Sequence, residues 1–224
     1  MKGVKLSKKG NDLIKLYEEM AEKGVKRRDG HVNYYNDFQL RKFRYMCKNL
    51  MTSKKIKTVL DYGGGGSNWD KPGFEPGTKL SAKDFFQIQE VYKFEPARGL
   101  MEKKKVDGVV CIDVLEHIFI SDIPKVVEEL FSLAKKLLIV NVACYKAAAL
   151  LPNGENAHIT VRGPDWWKGV FDTISSKYKG IEVMLICSNN FEKGVVFDTC
   201  KFGDWDFVKG FTTEAIYRPF QPKK

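Results

Sequence analysis

Apolar positions in residues 11–23, NDLIKLYEEMAEK, recur at helical spacing, with Leu13, Leu16, Tyr17 and Met20 on one face. Asn11 or Asp12 suits the N-cap, and Gly24 suits the stop. The polar, turn-rich stretch KRRDGHVNYYND follows. A second helical pattern then covers 36–52, with Phe38, Leu40, Phe43, Met46, Cys47 and Leu50 inward. From residue 56 the period changes. Short apolar, β-branched runs at 56–62, 91–96 and 106–113 read as strands. Residues 123–136 read as a helix, with Pro124 in its first turn and Val127, Leu130, Phe131 and Ala134 on one face. The wholly apolar run at 136–143 suits a strand buried on both faces. Residues 164–178 read as a helix, and 181–188 and 194–202 as a hairpin joined by NNFEK.

Strands alternating with helices predict an α/β fold: a Rossmann-like, mostly parallel sheet with helices on both faces and a C-terminal antiparallel hairpin. The expected organisation is a helical lid or extension over 1–55 and one α/β domain over 56–224. Residues 68–90 contain Pro72, Gly73, Pro76 and Gly77. They read as a long irregular connection, and such loops are often functional.

Composition narrows the classes. At 224 residues, 43% hydrophobic and 12% aromatic, the chain can bury a full core and is not a disordered protein. No apolar run nears the ~18 residues of a membrane span. The basic start MKGVKLSKKG has no apolar stretch behind it, so the reading expects no signal peptide and a cytoplasmic protein without membrane contact. Five cysteines without a CxxC argue against a disulfide framework and against a zinc site, and suit buried, inert thiols. No metal ligands are expected. Net charge is +10, and residues 1–57 alone carry 16 Lys+Arg against 6 Asp+Glu. That quarter is either a solvated face or a footprint for a polyanion. No RNP motif, zinc-finger spacing or RGG run supports the second.

The strongest chemical signal is VLDYGGGGS at 59–67, a strand running into Asp61 and a glycine loop, Gly63 to Gly66. Ligands of open α/β sheets bind at such strand ends, where glycine lets them approach the backbone. The GxGxxG fingerprint fails in either register, since Asn68 or Trp69 takes the place of the third glycine, and no GK[ST] follows. Glu95 ends the next strand, where a carboxylate can accept two hydrogen bonds from a ribose diol. DGVVCIDVLEHI at 107–118 places Asp113 at a third strand end.

These three motifs in order resemble the class I S-adenosylmethionine-dependent methyltransferases, and most the small-molecule type with a DVLEH segment. The resemblance covers about residues 56–202 and implies S-adenosyl-L-methionine as cofactor. It implies that Asp61, Gly63, Gly64, Gly65 and Ser67 hold the methionine part, that Glu95 holds the ribose hydroxyls, and that Asp113, Val114 and Leu115 pass close to the sulfonium. Tyr34, Tyr35, Phe38 and Arg41 fall where the family carries a lid, and Arg41 could pair with the methionine carboxylate. Two departures stand out. The 68–90 segment lengthens the Asp61-to-Glu95 spacing, and only 12 residues separate Glu95 from Asp107. The third strand is expected to be vestigial or absent, and with it the acid that binds adenine. Trp69 and Arg98 are the substitutes considered.

The implied activity is methyl transfer to an oxygen or nitrogen acceptor, with a small-molecule substrate expected and nucleic acid possible but not favoured. The alternatives are a non-catalytic S-adenosylmethionine-binding module that docks a polyanion through residues 1–57, and another nucleotide enzyme such as a short dehydrogenase. His158, in the loop after the apolar strand, is the first candidate base and His117 the second; His31 is expected to be solvated.

Overall fold

The computed structural model describes residues 4–26, 32–33, 38–199 and 207–212. Helix α1 spans Lys8–Lys23, and β1 (Val25–Lys26) pairs antiparallel with β2 (Val32–Asn33). Helices α2 (Phe38–Lys42) and α3 (Arg44–Ser53) lead into β3 (Thr58–Tyr62). There follow α4 (Ala82–Phe86), β4 (Glu90–Glu95), β5 (Leu100–Met101) and β6 (Val106–Ile112). Helix α5 (Ile123–Leu133), β7 (Ala134–Ala143), α6 (Pro164–Ser175), β8 (Glu182–Ser188), β9 (Lys193–Thr199) and β10 (Phe207–Thr212) complete the order.

The main sheet has the order β10-β9-β8-β7-β6-β3-β4-β5. The five strands from β8 to β4 are parallel, and β9 and β10 extend one edge antiparallel. This is the expected Rossmann-like α/β sheet. At the far edge β5, two residues long, pairs antiparallel to β4, and no further parallel strand follows it among the described residues. After β4 and β5 the chain crosses back to place β6 on the other side of β3, which makes the β3/β6 border the switch point of the topology.

Period-two alternation fills both faces. Leu138, Val140, Val142, Val183 and Leu185 pack with α5 and α6. Leu137, Ile139, Met184 and Ile186 pack with α3 and α4 on the other side. Each buried Leu, Val or Phe side chain contributes ~1.5–3 kcal/mol, so the sheet is a rigid support for the loops at its carboxyl end. Among the described residues, no helix is long and apolar enough to cross a membrane.

Four expectations need correction. First, α1 begins at Lys8 because Ser7 is its N-cap: Ser7 Oγ accepts from the Gly10 amide and donates to Asp122 Oδ2 at 2.6 Å. Asp122 is wholly buried, and its other oxygen accepts from the Ser7 amide at 2.9 Å. Second, the predicted single helix at 36–52 breaks at Phe43, and Phe38 is exposed. Leu40, Phe43, Cys47 and Met51 join the core of the sheet.

Third, residues 68–90 are not irregular throughout: they contain α4 and pack aromatic side chains on the sheet. Trp69, Phe74, Phe85 and Phe86 are buried against that core. Helix α4 carries a capping box from Ser81 and Asp84. Fourth, two of the N-terminal cations are interior rather than solvated. Lys42 is wholly buried with Nζ 2.5 Å from Phe191 O, and burial holds it below the usual lysine range. Arg44 pairs with Glu75 at 2.6 Å. Cys47, Cys111 and Cys187 are free and buried and Cys144 is half-buried; burial pushes Cys47 up to about 12. His31, Tyr34, Tyr35, Cys200 and the end of the predicted strand at 194–202 lie outside the described residues.

Candidate functional site

The cleft lies where the glycine loop after β3, the end of β4 and the segment after β6 converge. Gly63 and Gly65 have φ of 78° and 55°, backbone that L side chains rarely adopt. A β-carbon on Gly63 would come 2.5 Å from Val114 Cγ2, so the loop and the post-β6 segment touch only because the residue is glycine. A β-carbon on Gly64 would overlap the Asp61 carboxylate. Asp61 is buried beneath the loop, accepting from Ser67 Oγ and from Trp69 Nε1, the latter at 2.8 Å. Burial pushes its carboxyl above the usual range, and those two bonds oppose the rise.

Glu95 faces this loop. Its Oε2 accepts from the Gly65 amide at 3.0 Å and its Oε1 from Ala97 at 3.1 Å. Burial raises the Glu95 carboxyl and the two amide bonds oppose the rise. A carboxylate has about four lone-pair sites, so both oxygens keep one for a ligand. Gly63, Gly65, Glu95, Arg98, Asp113, Val114 and His117 line the cleft on the sheet side. Leu13, Ile14 and Tyr17 of α1 line the opposite wall. Helix α1 therefore covers the cleft, and Phe38 and Arg41 do not line it.

At one end of the cleft Tyr62 donates to Glu129 at 2.7 Å, and Lys103 pairs with Glu129 at 2.8 Å while its Nζ sits 3.7 Å above the Phe94 ring. Burial and the Glu129 charge push the Tyr62 hydroxyl well above its usual value. Sequence reasoning missed this group. Lys103 stands in a lysine run and Glu129 on an amphipathic helix, and neither pattern marks a partner.

The other end holds the histidines. Asp113 has φ of 61°, which turns the chain sharply at the end of β6 into the 3₁₀ turn Leu115–His117. His117 Nδ1 lies 2.8 Å from Ala157 O and 3.2 Å from the Tyr17 hydroxyl. His158 Nδ1 lies 2.5 Å from Tyr145 O. A carbonyl only accepts, so each Nδ1 carries the hydrogen and each Nε2 keeps its lone pair. The two rings stand 5.0 Å apart at 82°. Burial and the neighbouring His158 lower His117 to about 4. Glu116 is wholly buried; its Oε1 accepts from the Ala143 amide at 2.5 Å. Burial first, and then the Asp113 charge, push its carboxyl well above the usual range.

Of the residues expected at the cofactor, Gly63, Gly65, Glu95, Asp113 and Val114 line the cleft. Asp61, Gly64 and Ser67 shape the loop from behind it. Leu115 is wholly buried in the core beneath α5. Arg41 Nη1 donates to Gly73 O and Phe74 O at 2.7 and 2.8 Å, which ties it to the 68–90 segment rather than the cleft. Trp69 is buried with its indole on Asp61, so of the two adenine candidates only Arg98 lines the cleft. His117 lines the cleft, whereas His158 stands beside it without lining. Comparison with known proteins finds no family model, no curated protein and no solved structure that matches the chain.

Proposed function

We propose that this chain is an S-adenosylmethionine-dependent methyltransferase acting on an oxygen or nitrogen acceptor. The observation that carries the reading is Glu95, a half-buried carboxylate bound to the glycine-loop amide of Gly65 with acceptor sites left on both oxygens. A vicinal diol fits those two sites. The acids beside the glycine loop agree with a cationic donor, while Arg98 and Lys103 also line the cleft. Glu95 and Asp113 flank the loop, where a pyrophosphate would meet two carboxylates but a sulfonium is attracted.

Displacement at a sulfonium methyl releases a neutral thioether, so positioning does most of the work and can supply ~7–11 kcal/mol. Asp113 and Val114 would stand by the reacting carbon. A base is needed only where the acceptor must lose a proton, and His117, neutral above about pH 4, presents a free Nε2 from the cleft wall. A small-molecule acceptor remains the favoured class, because the site lies under α1.

Calorimetry with S-adenosylmethionine, NAD and ATP tests the reading. Stoichiometric binding of the first, and weak or no binding of the others, is expected. Preferential binding of NAD or ATP would overturn it.

A further inference from the structure

We propose that Asp113, His117 and His158 form a binding site for one divalent first-row transition-metal cation, and that this cation holds and ionises an oxygen acceptor. One potential ligand atom from each of the three residues lies within 4.8 Å of the others, the only such group of His, Cys, Asp and Glu among the described residues. Bond lengths of ~2.0–2.2 Å to a shared ion would draw these atoms together by small side-chain rotations.

The surroundings favour a metal over a chance cluster. Both imidazoles donate Nδ1–H to a backbone carbonyl, Ala157 for His117 and Tyr145 for His158. Outer hydrogen bonds of this kind fix the tautomer of metal-binding histidines and aim the other nitrogen at the ion. The two carbonyls belong to a loop after β7, and Asp113 and His117 to the turn after β6; adjacent parallel strands bring them together. Behind them sits Glu116, wholly buried, whose Oε2 has no hydrogen-bond partner among the described residues. A buried carboxyl oxygen left unpaired is costly. The Glu116 carboxyl lies against that of Asp113, and a cation held by Asp113 would relieve the repulsion between the two acids.

Two nitrogens and one carboxylate suit Mn²⁺, Fe²⁺, Co²⁺ or Zn²⁺ better than Ca²⁺ or Mg²⁺, and three protein ligands leave positions open for substrate. The last step rests on the methyl-donor reading of the cleft, which Asp113 and His117 also line. A hydroxyl bound to the cation loses its proton to solvent near neutral pH. Its oxygen then attacks the methyl carbon. The O–C bond forms as the C–S bond breaks, and the electron pair leaves with sulfur as the neutral thioether. The imidazoles then act through the cation and not as free bases, and the acceptor is an oxygen, not a nitrogen.

The test uses the full chain, treated with chelator, dialysed and kept free of S-adenosylmethionine. Co²⁺ is titrated in by calorimetry and by visible absorption, and pulsed EPR of the Mn²⁺ complex reads directly bound nitrogen. One site per chain and coupling to two imidazole nitrogens are expected. Asp113→Asn and His158→Ala, checked for folding by circular dichroism, should weaken Co²⁺ binding by at least ~10–100-fold. A folded wild-type chain that binds neither ion, or a Mn²⁺ complex without nitrogen coupling, would overturn the site, and these wild-type readings decide even if a variant fails to fold. S-adenosylmethionine binding to the metal-free chain is measured separately. Cofactor binding without metal binding refutes the metal site alone, and the reverse result refutes the donor reading alone.

Discussion

The Gly65 amide donates to Glu95 Oε2 at 3.0 Å, so the glycine loop and the end of the neighbouring strand are joined before any ligand arrives. The contact pre-orders the carboxylate and uses only one of its lone pairs. Glu95→Ala should therefore weaken S-adenosylmethionine binding by about 3–6 kcal/mol, the worth of two charge-assisted hydrogen bonds. Gly65→Val should do at least as much, because φ of 55° is hostile to a β-branched residue. Calorimetry on folded variants checks both; unchanged affinity in Glu95→Ala would discard the ribose assignment.

A lid made by α1 gives the second expectation. A β-carbon on Gly10 would overlap Asp122 Oδ2, the group that also holds Ser7. Gly10→Val should cost about 1–3 kcal/mol through overpacking and loosen α1 from the cleft. Cofactor affinity should fall while the sheet keeps its circular-dichroism spectrum. If thermal melting and affinity both match wild type, α1 is not the wall on which the cleft depends.

Glu116 supplies a pH dependence. Its carboxyl titrates near 4.5 in the unfolded chain and well above that when folded, mainly through burial. Between those values the folded chain binds more protons, so Glu116 makes stability fall as pH rises through that window. Glu116→Gln keeps the shape and removes the titration. In chelator, urea midpoints at pH 5 and pH 8 should diverge more for wild type than for the variant. Equal divergence would mean that Glu116 is ionised in the fold.

His117 acts with the opposite sign. Its ring titrates near 6.5 when unfolded and at about 4 when folded. Between those values the unfolded chain binds more protons, so stability falls as pH drops from about 6.5 to 4. In metal-free urea titrations His117→Gln should flatten that acid limb. A limb of unchanged slope would place the histidine in solvent.

For turnover of a true substrate, His117→Ala and His158→Ala should each lower kcat by ~10²–10⁴ and leave cofactor affinity nearly intact. Loss confined to His117→Ala would assign a free base at the cleft wall. Neither variant changing the rate would leave positioning alone as the source of catalysis.

The chain itself determined what depends on near neighbours. Strand and helix order follows from periods of two and 3.6, and the loop at 63–66 and the acids Glu95 and Asp113 were legible because each sits at the end of an apolar run. The basic quarter read as a solvated face or a polyanion footprint, since sequence gives the spacing of Lys42 and Arg44 but not which face the sheet covers. Ser7 rather than Asn11 or Asp12 caps α1 because its partner, Asp122, is 115 residues away. Arg41 and Trp69 looked available to a ligand, and packing of the 68–90 segment claimed both. The meeting of Asp113, His117 and His158 was decided only by the pairing of β6 with β7, which sets side by side two loops that the sequence keeps about 40 residues apart. Local periodicity carries no information about such a meeting, because it is fixed by which strands share hydrogen bonds.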